Sequence, residues 1–259
     1  RYFTYLVLLT LLGEWYSYQS GAILNLIVPI IGAFAFSHLT EAILRHFYYQ
    51  QAKNKLADNK NLKIVAITAS FGKTSIKHFL HALLKEDKNT YMSPGSVNTE
   101  VGLMADINQR LPKDCEIYIA EAGARREEDI LKIARLLEHQ YAIIGCVGKQ
   151  HIEYFKTLEN IKRTKRELLA SLRLEKAFVH ETAYVDAEKI TSFGENGDII
   201  IQNIKADLEG TSWDIITPDK TYSLHTPLLG SFNATNITAA FLMASELGSD
   251  PERLVRKVK

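Results

Sequence analysis

The chain has 259 residues, 46% of them hydrophobic, and a formal net charge of +1, enough for one substantial core plus something smaller. The balanced charge and the lack of a basic stripe interleaved with aromatics give no electrostatic ground for nucleic-acid binding. The two cysteines, Cys115 and Cys146, have neither the number nor the spacing for a disulfide framework or a zinc site; they are expected in buried strands, in a reducing compartment.

In chain order, the first features are two apolar runs, residues 2–12 and residues 21–36, the second interrupted by Asn25. The second run lies at the lower edge of what crosses a bilayer, and the first is too short unless truncated. Trp15, Tyr16 and Tyr18 between them have the look of an interfacial aromatic belt, and Arg45, Lys53, Lys55, Lys60 and Lys63 follow. By the positive-inside tendency, everything after that faces the cytoplasm. A buried helical hairpin or an interfacial helix is the alternative, and Pro29 argues against a straight span. No small-residue cleavage pattern supports a signal peptide. Residues 1–60 are therefore expected to be a hydrophobic helical segment associated with the inner face of a membrane.

From residue 61 the texture changes to short apolar runs separated by amphipathic stretches. The runs are 64–67, 90–92, 116–120, 141–147 and 177–180, and they predict parallel strands covered by helices. Residues 196–226 alternate more tightly, as antiparallel hairpins at an edge do. A helix over 233–247 closes the unit, and Asp250-Pro251 starts another. The expected fold class is α/β: a P-loop-type parallel sheet flanked by helices, with a small antiparallel edge sheet and an apolar helical segment in front. The chain opens on Arg1 and stops at Lys259 within a helical pattern, so both ends are expected to be cut.

The most informative stretch is residues 61–75, in which a buried strand runs into Ser70-Phe71-Gly72-Lys73-Thr74-Ser75 and then into the helical spacing Ile76, Phe79, Leu80, Leu83, Leu84. Backbone N–H groups at a helix N-terminus converge on phosphate oxygens. Gly72 permits the close approach, Lys73 reaches the phosphates and the Thr74 hydroxyl can hold Mg2+. A Lys-Thr pair capping an ordinary helix is the plain alternative. In such sheets the ligand sits outside the carboxyl ends of the strands. Glu121, at the end of the apolar run 117–120, is placed to complete a magnesium shell, although strand-end acids also serve as caps or salt-bridge partners. His151 lies past another strand end, fourteen residues before Lys165 in a lysine-rich helix. Periodicity does not separate Lys165 from Lys162 or Arg166.

Residues 68–75, Asn98-Thr99 with Gly102, residues 121–125, 148–155, 158–168 and 230–240 fall in the order and approximate spacing of the central ATP-binding domain of the Mur ligases. The resemblance spans about residues 62–247. It departs from the usual pattern at Ala69, Lys149 and Phe232, where glycine, a small residue or proline, and histidine are common. The chain most resembles the branch that joins D-alanyl-D-alanine to a UDP-N-acetylmuramoyl tripeptide through an acyl phosphate. The resemblance implies ATP and two Mg2+ ions. Lys73 is then on the phosphates, Thr74 and Glu121 on the first metal, and His151 and a carbamylated Lys165 on the second. Asn98 is implied near the transferred phosphoryl group, with Asn233 and Asn236 on the adenine. It also implies a central domain over 61–250, with a C-terminal domain starting at 251–259. Other Mur-type, folate or cyanophycin ligases share this ATP domain. A membrane-tethered P-loop NTPase and a nucleotide-binding anchor without turnover are readings of a different class.

Overall fold

The computed structural model describes residues 2–17, 24–149 and 152–258. The chain forms two compact units, Arg1–Gln51 and Ala52–Lys259.

The first unit consists of α1 (Tyr2–Ser17) and most of α2 (Leu24–Asp58), a helix that continues into the second unit. Helix α2 runs through Pro29, close enough to its start that little of the hydrogen-bond ladder is lost. Tyr5 meets Phe36 with ring centroids 5.6 Å apart, yet Val28, Ile31, Phe34, Leu39 and Phe47 all remain exposed. The stretch Ile27–Asp58 is long and apolar enough to cross a membrane. Of the expected aromatic belt, Tyr18 and the side chains of Trp15 and Tyr16 lie outside the described residues.

The second unit carries strands β1 (Lys63–Thr68), β2 (Thr90–Met92), β3 (Ile117–Glu121), β4 (Tyr141–Ile144), β5 (Lys176–His180), β6 (Ile190–Gly194), β7 (Ile199–Asp207), β8 (Gly210–Ile216) and β9 (Thr221–Thr226). Among the described residues they form one sheet in the order β2-β3-β1-β4-β5-β6-β7-β8-β9. Pairing is parallel from β2 to β7 and antiparallel from β7 to β9. The antiparallel hairpins therefore extend the parallel sheet instead of making a second one. Strand β6 carries little apolar sequence and is not visible as a run; parallel pairing with β5 and a short pairing with β7 define it.

Strands β1, β3 and β4 are buried along almost their whole length, as the centre of a sheet covered on both faces must be. Helix α3 (Lys73–Leu84) sets Ile76, Leu80, Leu83 and Leu84 into the core. Helix α8 (Phe232–Glu246) is buried over most of its length. Its alanines 234, 239, 240 and 244 leave no side chain beyond Cβ to hold neighbours apart. Trp213 of β8 is buried against it and donates from Nε1 to Thr238 Oγ1 at 3.0 Å. Helices α4 (Glu100–Arg110), α5 (Asp129–Leu137), α6 (Ile152–Phe155), α7 (Leu158–Arg166) and α9 (Pro251–Val258) complete the unit.

Strand β1 lies between β3 and β4, so the chain order reverses about it and opens a crevice at the strand carboxyl ends. The apolar run 141–147 leaves the sheet at Ile144. A Cβ on Gly145 would come within 2.8 Å of Ile76 Cδ1, so the chain turns here tightly over α3. Neither cysteine sits within a strand: buried Cys115 precedes β3 and half-buried Cys146 follows β4, and both are free thiols.

Candidate functional site

The site forms where β1, β3 and β4 end and α3 begins. Ala122 N donates to Ile67 O and Gly145 N to Thr68 O, each at 2.8 Å, and Ser70 N donates to Cys146 O at 2.9 Å. Ser70 Oγ reaches Gly148 O at 3.1 Å. The loop is thus stitched to strand ends on both sides. Gly72 precedes α3 with φ of 82°, a left-handed conformation that glycine adopts without strain. The helix opens with the Ile76 N to Gly72 O bond at 2.8 Å, and the N–H groups of its first turn face the crevice. Lys73 Nζ rests on Ala69 O at 3.0 Å and Ser70 O at 3.3 Å. Burial lowers its pKa, and the nearby Glu121 carboxylate opposes that shift. Phe71 is exposed and its ring packs over Gly148.

Glu121 closes β3 and is buried. Thr74 Oγ1 donates to its Oε2 at 2.8 Å, and Asn98 Nδ2 donates to its Oε1 at 3.0 Å. A hydroxyl that gives its one proton to a carboxylate keeps its lone pairs for a cation. With the carboxylate beside it, this is a hard oxygen donor set that fits magnesium. Asn98 is held by Gly123 N, which donates to its carbonyl at 2.7 Å, and Thr99 caps α4 through Gly102 N.

Helix α7 separates by burial the residues that periodicity did not. Lys165 is 5% exposed, whereas Arg166 turns away to Ala183 O and Tyr184 O. Burial, helped by the positive charge of Lys73, pushes the Lys165 ammonium down to about 7. A large fraction of this amine is therefore neutral near pH 7. Asn236 lies directly over Gly72, and Asn233, one turn earlier, donates from Nδ2 to Leu229 O at 3.0 Å. Phe232 is exposed beside Gly230. Ser75 lies in the first turn of α3. His151 lies outside the described residues.

Sequence reasoning missed Lys77 and Ser93, and read Thr68 only as the first residue of the 68–75 block. Lys77 is fully buried, with Nζ 2.8 Å from Ser93 O, 2.5 Å from Gly95 O and 3.4 Å from Glu121 Oε2. Ser93 Oγ accepts from Glu121 N at 3.2 Å, and Thr68 Oγ1 donates to Ala122 O at 2.8 Å. The signal for Lys77 was present: it stands one turn after Lys73, in line with Leu80 and Leu84 on the buried stripe of α3.

Residues 67–244 match the Mur ligase middle domain. The chain is 25% identical over 210 residues to the UDP-N-acetylmuramoyl-tripeptide--D-alanyl-D-alanine ligase of Bacillus subtilis (strain 168), covering 78% of this chain and 45% of the relative. It superposes on MurF from Acinetobacter baumannii with a TM-score of 0.74 and 26% identity, covering 82% of this chain and 48% of that one. For the MurF ligase from Thermotoga maritima in complex with ADP the values are 0.70, 26%, 81% and 51%. The chain thus spans about half the length of the proteins it matches. The strand order about β1, the glycine-led helix and the extent of the match together place this chain in the Mur ligase family.

Proposed function

We propose that this chain is the ATP-binding part of a ligase that adds D-alanyl-D-alanine to a UDP-N-acetylmuramoyl tripeptide in peptidoglycan precursor synthesis. The observation that carries the reading is the Thr74–Glu121 hydrogen bond at the foot of a helix led by a left-handed glycine, a combination suited to a metal-bound phosphate chain. The names of the similar proteins supply the chemistry. In this reading the tripeptide carboxylate attacks the γ-phosphorus of ATP to give an acyl phosphate and ADP. The amine of the dipeptide then attacks the acyl carbon, loses a proton and expels phosphate.

The chain's part is to position and to neutralise. Lys73 and the N–H groups of the loop from Ser70 to Ser75 hold the phosphates, with Phe71 at the rim. Asn98 lies beside the transferred group, and Asn233 and Asn236 hydrogen-bond the adenine edge. Thr74 and Glu121 would hold one Mg2+, and His151 with Lys165 a second. Magnesium bound there would supply charge neutralisation and orient the γ-phosphoryl group. Lys165 contributes as a carbamate, formed when its neutral amine adds to CO2 with loss of a proton; the depressed pKa supports that step. Phosphate release by the full-length protein with the UDP-linked tripeptide, with and without D-alanyl-D-alanine, is the test. Release that depends on the dipeptide supports the reading, and amine-independent hydrolysis favours a P-loop NTPase.

The proposed division is a membrane-associated segment at 1–60, the ATP-binding domain at 61–250 and the start of a further domain at 251–259. The apolar, outward-facing surface of α2 supports a seat in the bilayer. Arg45, Lys53 and Lys55 in the C-terminal half of α2, with Lys60 and Lys63 after it, favour the cytoplasmic side for the ATP-binding domain.

A further inference from the structure

Lys77 is a fully buried ammonium that the phosphate chemistry above does not use. Its Nζ donates to Ser93 O at 2.8 Å and Gly95 O at 2.5 Å, and it forms an ion pair with Glu121 Oε2 at 3.4 Å. Two of these belong to the turn after β2, which leads directly to Asn98, and the third to the carboxylate that Asn98 and Thr74 also contact. Burying a lysine at such a place is costly unless its charge is paired and its donors find partners. Helix α3 thus carries two lysines one turn apart: Lys73 near the solvent on the loop carbonyls, Lys77 behind it on the carboxylate.

We propose that Lys77 is a positioning residue for metal binding: it fixes the Glu121 carboxylate and the 93–95 turn together, so that Thr74, Glu121 and Asn98 meet the metal–phosphate unit already oriented. The inference rests on the nucleotide reading above and adds a residue to it. An apolar side chain of the same length would fill the space but leave the carboxylate held by Thr74 and Asn98 alone and the two carbonyls without this donor. Outer-shell partners of metal ligands commonly govern affinity by about 10–100-fold.

The test is calorimetric binding of ADP to the chain, with excess Mg2+ and with EDTA, for the parent, Lys77→Met, Glu121→Gln and the double variant. Lys77→Met should bind ADP in EDTA as the parent does and lose about tenfold or more of the gain that Mg2+ confers. In the Glu121→Gln background, Lys77→Met should cause little further loss, because the lysine acts through that carboxylate. Should Lys77→Met not fold, the double variant, which removes both buried charges, is compared with Glu121→Gln alone. Independent, additive losses overturn the proposal, as does an equal loss with and without Mg2+, which marks a purely structural role. A parent that binds no ADP overturns the nucleotide reading, and this inference with it.

Discussion

Asn236 sits over Gly72 so closely that a Cβ on the glycine would lie 2.4 Å from the asparagine Oδ1, while Gly72 itself holds a φ of 82°. Both the conformation and the space require glycine. Gly72→Ala should cost about 1–2 kcal/mol from the left-handed backbone alone. It should also push Asn236 aside and weaken ADP binding by about tenfold or more, since about 1.4 kcal/mol of lost contact has that effect. Thermal unfolding and calorimetry of the variant check both.

Glu121 and Lys77 form a salt bridge between side chains that are 1% and 0% exposed. Truncating one partner leaves the other charge buried without its counter-ion, so Glu121→Ala should destabilise the fold by about 3–5 kcal/mol. Glu121→Gln keeps the shape and an acceptor for Thr74 but leaves the same lysine charge unmatched, so it should lose most of the same stability. Urea unfolding of the two variants gives the comparison; a much smaller loss for Glu121→Gln would remove the electrostatic explanation.

Lys165 gives up its proton near pH 7 in the fold, against an ordinary value of 10.5. Between those values the unfolded chain binds a proton that the folded chain does not, so the contribution of this group to stability rises with pH through that window. In metal-free protein Lys165→Met should be more stable than the parent below pH 7, with the gap closing toward pH 10. A gap that does not change with pH speaks against a buried, neutral amine.

His139 has the same sign in a different window. It is fully buried and bonded through Nε2 to Leu168 O at 2.9 Å, with Nδ1 unpartnered. Burial pushes its pKa to about 4 from 6.5. Unfolding therefore takes up a proton between those values, and stability should fall by about 3 kcal/mol as the pH drops through them. His139→Phe should flatten this part of the acid profile, measured by denaturant midpoint against pH.

Ile31 and Phe34 are exposed on the apolar part of α2. A lysine at the centre of a spanning helix costs about 2.5–3.5 kcal/mol. Ile31→Lys with Phe34→Lys should shift the chain from the pellet to the supernatant when it is sedimented with phosphatidylglycerol vesicles. Retention of both forms in the pellet would leave the bilayer seat without support.

Much of the second unit was legible because a parallel sheet buried on both faces writes its strands as unbroken apolar runs: 64–67 and 117–120 correspond to β1 and β3 almost residue for residue. Strand β6 was not legible, because Ile190 to Gly194 gains its place from pairing with β5 rather than from hydrophobicity. The glycine-led turn into α3 could be read from Gly72, Lys73 and Thr74 because its pattern is local. The lysine at 165 could not be told from its neighbours by pattern, since what separates it is tertiary burial. Lys77 was overlooked for the opposite reason: a charge on an apolar stripe looks like noise until the carboxylate opposite it is known.

Helix α8 places Asn233 and Asn236 at one end of an element whose remaining turns are sunk among α3 and the sheet. Its backbone amides should therefore exchange with deuterium only when the whole unit opens. In the proposed reading, the groups that face the purine are thus mounted on a firmly held element, and base selection would be the work of a fixed template, not of a closing jaw.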